Sequence, residues 1–339
     1  MSFKRLDPED ISISAESVVA PAWSNQQTTL GNGNFNTSPT QIASTTGKYY
    51  YDIYQTGSTA TGATVQFSMA YANRKGSGSL PGDSTIPQIT PSRVTYGQYR
   101  TLLNGDEDTD FTFGTTTSNS VYIIALNRSR YKEKIQPGTL TLRLTSGSNS
   151  IILTDNSQTS TTVSYADAGR VFDIVSGSAG IVVGSTGFTP ASGSYGKLYP
   201  DVGILVLNGD ALKATAAGGG IGLAINETNA PSNNYVNNNL FYNALDAGGN
   251  FTLQSAETIT SNYVFVRVRN SEYNYSTNPS YITGSGELRH DVMINTPQAY
   301  ITTVGLYNNN NDLLGVAKLS RSLLKDFTKE ALIRIKLDY

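Results

Sequence analysis

The residues that could carry out chemistry are few and lie far apart in this sequence. His290, in the stretch ELRHDVM, is the only histidine, and the chain contains no cysteine. A zinc site therefore lacks its usual nitrogen and sulfur ligands. The sequence also has no Gly-x-Ser-x-Gly nucleophile elbow, and a lone histidine is more often a structural or surface residue than a general base. We expect no enzymatic activity and no cofactor.

Three aspartates form a pattern that resembles a metal-binding loop. Asp106, Asp108 and Asp110 alternate in NGDEDTDFTFG, as oxygen ligands do at the start of a calcium loop. The loop needs glycine at its sixth position and glutamate at its twelfth, but Phe111 and Thr117 stand there instead. The sequence therefore favours a solvated acidic loop over a metal site, and we expect no bound metal.

The composition limits the kinds of partner. With 24 basic and 26 acidic residues, the net charge is −2. The chain therefore has no net positive charge that would predict a nucleic-acid partner. Only 15% of the residues are charged, and the surface must consist mainly of serine, threonine, asparagine and glycine. Tyrosine, with 21 residues against 11 phenylalanines, is favoured at protein interfaces and also stacks on sugars. These features favour binding over catalysis.

The elements that position these residues are mostly strands. The stretches TLTLRL (139–144), YVFVRVRN (263–270) and LIRIKLDY (332–339) alternate between apolar and polar residues, which is typical of half-buried strands. Glycine and asparagine clusters separate such stretches at short intervals. VTYGQYRTLLNG predicts a short helix that stops at Gly105. We predict a mainly β protein with antiparallel sandwich or barrel-like domains and few short helices.

The domain organisation follows from the polar breaks. Residues 1–45 contain few apolar residues and predict an extended N-terminal arm, with a disordered leader as the alternative. A break near SGSNS divides the remainder into a β domain at 46–148 and another at 149–339, although a single large β domain also fits. In the stretch 301–320, four asparagines separate two apolar segments, which predicts a hairpin. A terminal strand follows it.

No stretch of the sequence predicts an export signal or a membrane span. The opening MSFKRLDPEDISIS lacks the apolar core of a signal peptide. The longest apolar runs, such as VYIIAL, are far shorter than the roughly 20 residues that cross a bilayer. We expect a soluble protein without a membrane partner.

Several long blocks resemble one family of phage proteins. These blocks are MSFKRLDPEDISIS, PSRVTYGQYRTLLNGDEDTDFTFG, NRSRYKEKIQPGTLTLRL and the C-terminal YITTVGLYNNNNDLLGVAKLSRSLLKDFTKEALIRIKLDY. Across essentially the whole chain, the sequence is similar to virion structural proteins of T-even-like contractile-tailed phages, especially those that infect marine cyanobacteria. One departure is Ser322, because the family tends to have proline there.

The resemblance implies a structural component of the virion, made in the cytoplasm of the host bacterium. The segment GLYN…DLLGVAKLS is similar to terminal segments of phage tail-collar, tail-fibre and baseplate-attachment proteins, which implies a baseplate protein that helps to anchor tail fibres. Its partners would be baseplate wedge or other tail components, tail fibres, or a second copy of itself. A receptor-binding or glycan-binding adhesin and a capsid decoration protein are the alternatives.

We predict that the two ends of the chain form the assembly interface. The arm would wrap around a neighbour, and the terminal strand would complete a sheet in its own chain or extend one in a neighbour. The candidate interface residues are Phe3, Trp23, Ile333, Ile335, Leu337 and Tyr339.

Overall fold

The computed structural model describes residues 3–38, 49–79, 89–183, 193–229 and 235–338. Strands account for 44% and helices for 16%, and the antiparallel sheets include a curled half-barrel, which confirms the predicted mainly β class. Within the described residues, no helix is both long enough and apolar enough to cross a membrane. The contacts divide the chain into unit 1, Met1–Ser17 with Thr258–Tyr339, and unit 2, Val18–Glu257.

The elements have the following bounds. The strands are β1 (Ile11–Pro21), β2 (Thr29–Gly31), β3 (Tyr51–Tyr54), β4 (Val65–Asn73), β5 (Thr112–Phe113), β6 (Thr116–Thr117), β7 (Ser120–Leu126), β8 (Lys134–Ile135), β9 (Thr141–Ser146), β10 (Asn149–Asp155), β11 (Ser164–Ala166), β12 (Gly169–Ser178), β13 (Ile181–Val182), β14 (Gly196–Tyr199), β15 (Ile204–Asn208), β16 (Asn250–Thr252), β17 (Gln254–Val268), β18 (Gln298–Tyr307), β19 (Leu313–Asp326) and β20 (Ala331–Asp338). The α-helices are α1 (Pro91–Asn104), α2 (Gly209–Lys213), α3 (Val236–Gly248) and α4 (Val292–Asn295).

Unit 2 is built on one long antiparallel sheet. Its main strands follow the order β2-β16-β9-β10-β12-β14-β15-β7-β4-β3. The central strands β7 and β15 carry the apolar runs VYIIAL and ILVL and are buried on both faces, as continuous apolar runs are expected to be. On β7, Tyr122 and Ile124 face the core that also contains side chains of α3, whereas Val121 and Ile123 face the core under α1. Both faces of this sheet are therefore covered at its central strands.

Helix α1 begins and ends at clear signals in the sequence. The hydroxyl of Thr90 accepts a hydrogen bond from the backbone N–H of Arg93, and Pro91 occupies the first helical position, where no N–H is needed. Gly105 ends the helix with a φ of 78°, a left-handed conformation that favours glycine. The predicted stop at Gly105 is confirmed.

The N-terminal segment is extended, as predicted, but its strands β1 and β2 pair with β17 and β16 of the same chain. Trp23 is 3% exposed and lies in the core of unit 2, where its indole N–H donates to the carbonyl oxygen of Phe251 at 2.9 Å. Its ring also contacts Phe67. Leu30, in β2, pairs with Phe251 in β16. Because an indole N–H needs a partner when it is buried, this arrangement gives Trp23 a role in the core and corrects its predicted place at an interface.

Unit 1 consists of two thin layers. One is the sheet β1-β17-β20, and the other is the hairpin β18–β19. In the terminal strand β20, Ile335 pairs with Val264 and Ile333 with Val266 of β17, so the strand completes a sheet in its own chain. These side chains meet the inner face of the hairpin in a small core. The apolar residues Ile333 and Ile335 of LIRIKLDY are thus buried within unit 1.

The predicted hairpin is confirmed. Its turn is closed by Asn308, whose side-chain oxygen accepts hydrogen bonds from the backbone N–H groups of Asn310 at 2.9 Å and Asp312 at 2.8 Å. Asn311 adopts a φ of 66°, which asparagine tolerates better than most residues. Ser322 falls in the register shift of the β18–β19 ladder, where a strand accepts proline more readily than in a regular ladder.

The two compact units differ from the predicted domain organisation. The predicted boundary at residue 45 lies outside the described residues. The predicted boundary between residues 148 and 149 falls at the tight turn that joins β9 to β10, where Ser146 pairs with Asn149. Adjacent hairpin strands share one core, so the polar stretch SGSNS marks a turn of unit 2.

Candidate functional site

The residues with catalytic or metal-binding side chains do not converge. His290 is exposed immediately before α4. Asp106 accepts hydrogen bonds from the hydroxyl and backbone N–H of Thr109, which lower the pKa of its carboxyl group. Asp110 instead binds the guanidinium groups of Arg74 and Arg100. Across the described parts of the chain, no group of three or more His, Cys, Asp or Glu side chains is placed to hold a metal ion.

The predicted interface residues do not form one surface. Ile333 and Ile335 are 8% and 6% exposed because they face the core of unit 1. Leu337 is 40% exposed near the end of the strand, and Phe3 is 65% exposed. Tyr339 lies outside the described residues. Of the six candidates, Phe3 and Leu337 are the two that the structure places at the surface.

The outer face of the hairpin, near its turn, carries exposed apolar side chains. We call this surface the tip face, and it consists of Phe3, Tyr307, Leu313, Leu314 and Val316. Tyr307 pairs with Leu313, and Gly305 pairs with Val316. A Cβ atom on Gly305 would lie 2.9 Å from the ring of Tyr307, so that ring lies over the outer side of Gly305. Leu314 and Val316 are 70% and 60% exposed.

The first residues of the chain hold one part of the tip face. The Phe3 ring packs edge-on against Tyr307, with ring centroids 4.9 Å apart. Lys4 forms an ion pair with Glu272 at 2.8 Å, and its hydrogen bond to that carboxylate lowers the pKa of Glu272. Leu6 packs against the core of unit 1. The contacts of Phe3, Lys4 and Leu6 therefore hold this segment on unit 1, although the Phe3 ring stays largely exposed.

A buried lysine fixes the other end of the hairpin. The side chain of Lys325 is fully buried, and burial lowers the pKa of its ammonium group. That group donates to the carbonyl oxygens of Asn270 at 2.9 Å and Asp326 at 2.7 Å, and to the side-chain oxygen of Asn274 at 2.7 Å. A buried charge is tolerated when its donors are all used. Lys325 therefore ties the loop after β17 to the base of β19.

The sheet of unit 1 ends in two edge strands. In the sheet order for the described residues, β1 and β20 each have one neighbour, β17. Arg334 and Lys336 point away from the core on β20, and Arg334 lies over the ring of Tyr263 at 5.5 Å. Charged side chains on an edge discourage unspecific strand pairing.

Sequence reasoning identified one residue of the tip face and missed four. Phe3 belongs to the N-terminal arm, for which the sequence predicts a role in the assembly interface. The four missed residues are Tyr307, Leu313, Leu314 and Val316. The alternation of apolar and polar residues in their strands predicts one buried face, but it does not show that the other face is also apolar. The signal that could have indicated the tip face is the pair of adjacent leucines, Leu313 and Leu314, beside a polar turn. Adjacent residues of a strand point to opposite faces, and a face in solvent does not need an apolar residue.

Comparisons of the chain with protein-family models, with curated proteins and with solved structures find no match.

Proposed function

We propose that this protein is a structural component of a contractile-tailed phage virion. Within the virion it would act as a baseplate protein that contacts other tail components and helps to anchor tail fibres. The tip face is the observation that carries the proposal. The resemblance of the C-terminal segment to terminal segments of tail-collar and fibre proteins supplies the type of partner.

The chemistry of the tip face supports a protein partner. Two leucines, a valine and two aromatic rings offer apolar surface, and removing this surface from water on binding lowers the free energy. Tyr307 adds a hydroxyl group that can remain wet at the rim of an interface. Contiguous exposed apolar patches on folded proteins typically mark interaction sites. The net charge of −2 gives no electrostatic reason to favour a nucleic acid.

The hairpin has a shape suited to anchoring. Its two strands are 10 and 14 residues long, and their outer face near the turn is apolar while their inner face is covered. Lys325 fixes the hairpin base, so the tip face is presented on a supported element. A preorganised surface binds with a smaller entropy cost than a segment that must fold on binding.

Localisation on intact particles tests this proposal directly. Antibodies raised against the purified protein are bound to intact virions and visualised by immunogold electron microscopy. We expect gold at the distal end of the tail. Gold over the head would instead favour capsid decoration, and gold along the fibres would favour an adhesin; either result would overturn the baseplate assignment.

A further inference from the structure

Unit 2 contains an open cleft beside helix α1. It has a volume of about 230 Å³ and lies where the middle of β4 and the two residues that precede β3 meet the helix. Its polar and aromatic lining consists of Tyr49, Tyr50, Ser68, Thr95, Gln98 and Tyr99. Apolar side chains of β4 and β7 complete it. The cleft is thus a mixed surface of aromatic rings, hydroxyl groups and one amide.

The polar groups in the cleft offer both donors and acceptors to a ligand. The Ser68 hydroxyl donates to the carboxylate of Asp52 at 2.5 Å, and the Thr95 hydroxyl donates to the carbonyl oxygen of Pro91 at 2.9 Å. Each hydroxyl oxygen therefore keeps lone pairs that can accept a hydrogen bond. In the part of the chain that the structure describes, the side chains of Gln98 and Tyr99 make no hydrogen bond. Their N–H and O–H groups remain available as donors.

The lining excludes several classes of ligand. Its described residues include no lysine, arginine or histidine, so a phosphate or carboxylate would leave water without a compensating cation. They also include no carboxylate that could bind a metal or an ammonium group directly; Asp52, the cross-strand partner of Ser68, is outside the lining and accepts the Ser68 hydroxyl. A neutral ligand with several hydroxyl groups matches this set of donors and acceptors.

The tyrosine rings add a second requirement. The face of an aromatic ring carries partial negative charge and attracts weakly positive C–H groups. A pyranose ring presents such C–H groups on one face and hydroxyl groups around its edge. The volume of about 230 Å³ accommodates one such ring and leaves no room for an extended chain. Larger ligands would have to extend from the open side.

We propose that this cleft binds a neutral pyranose sugar, with a tyrosine ring against its C–H face and with Ser68, Thr95, Gln98 and Tyr99 as hydrogen-bonding partners of its hydroxyl groups. The proposal does not depend on the tip face or on a baseplate location. A virion protein with such a cleft would recognise a neutral sugar, either free or at the end of a polysaccharide.

Saturation-transfer NMR on the full chain tests the proposal. The probes are glucose, galactose, mannose, N-acetylglucosamine, rhamnose and fucose at millimolar concentration, each also as its methyl glycoside. We expect saturation transfer to at least one of them. Undiminished binding of the methyl glycoside would identify the end of a polysaccharide as the ligand, and loss of binding on methylation would identify a free sugar.

Three variants locate the binding site. Tyr50 is 51% exposed, so Y50A should fold normally and weaken binding by about tenfold through loss of the aromatic surface. Q98A removes the amide from the exposed side of α1 and should weaken binding severalfold. Y165A removes a tyrosine that is 74% exposed elsewhere in unit 2 and should leave binding unchanged. The proposal is overturned if none of the probes binds, or if Y50A and Q98A, with melting curves like the wild type, bind as well as Y165A.

Discussion

The two units bury their apolar residues to very different extents. Among the described residues of unit 2, aromatic side chains such as Tyr122, Phe241 and Phe251 are fully buried, and both faces of the long sheet are covered at its central strands. The described part of unit 1 buries five apolar residues, none of them aromatic: Val264, Val268, Ala299, Ile333 and Ile335. Unit 2 therefore resembles a self-sufficient domain, whereas unit 1 leaves a larger part of its apolar residues exposed.

The difference begins in the strands. VYIIAL and ILVL are apolar on both faces, and helices cover each face. In the hairpin of unit 1, alternate residues of both strands face the small core. Leu314 and Val316 are on the side that the described residues leave open. A chain that needed only to fold would gain nothing from apolar side chains there, so we expect these residues to matter for assembly and little for stability.

The largest expected effect of a single substitution lies in the core of unit 2. Phe241 stacks on Tyr122 with ring centroids 4.5 Å apart, and both rings are fully buried. F241A should lower the free energy of unfolding by about 3–5 kcal/mol because it leaves a cavity in a covered core. Urea denaturation measures the loss, with Y165A as an exposed control within about 0.5 kcal/mol of the wild type. Equal effects of the two variants would show that this core is not tightly packed.

Alkaline pH should weaken unit 2. Burial raises the pKa of Tyr51 and of Tyr96 to about 12, and it also raises the pKa of Tyr122 and Tyr199. Tyrosines in the unfolded chain ionise near pH 10, while these four stay neutral in the folded protein. Their contribution to the free energy of unfolding is therefore fully present below pH 10 and is lost as the pH rises toward 12. For each such tyrosine, the free energy of unfolding should fall by about 1.4 kcal/mol per pH unit in this window.

Tyrosinate absorbance and circular dichroism, recorded together, check this pH dependence. We expect the four buried tyrosines to ionise only as the circular dichroism signal of the folded protein is lost. Ionisation of all tyrosines near pH 10 with the fold intact would contradict the burial of these four side chains.

A smaller effect is expected at the buried lysine of unit 1. K325M keeps most of the apolar stem but leaves three oxygen atoms, on Asn270, Asn274 and Asp326, without their donor. We expect a local destabilisation of about 1–3 kcal/mol, read from faster hydrogen exchange of the β19 amides. The matched control is K318M, because Lys318 is exposed on the same strand. Unchanged exchange in K325M would show that the lysine does not anchor the hairpin.

The smallest effect on stability is expected at the tip face. The double variant L314S/V316S replaces two side chains that are 70% and 60% exposed, so its free energy of unfolding should stay within about 0.5 kcal/mol of the wild type. Binding of a fluorescent apolar dye should decrease, since less apolar surface is exposed. A large loss of stability would mean that these side chains are covered within the folded chain.

Strand periodicity predicted much of the fold. TLTLRL, YVFVRVRN and LIRIKLDY became strands, and the four asparagines became the hairpin turn, because these features depend on neighbouring residues. The place of Trp23 in the core was not predictable in this way, because its partners Phe67 and Phe251 are distant in the sequence. The same limit applies to the candidate surface: alternation places Leu314 and Val316 on one side of a strand, but it does not tell which side a second layer covers.

The incorporation of tip-face variants into particles is the most direct test of the assembly role. Phages that carry L314S/V316S are compared with phages that carry I181S/V183S, a matched pair of exposed apolar residues in unit 2, by quantitative mass spectrometry of purified virions. We predict that L314S/V316S is strongly depleted from particles, while I181S/V183S is incorporated like the wild type. Incorporation of L314S/V316S at the wild-type level would contradict the role of the tip face in assembly.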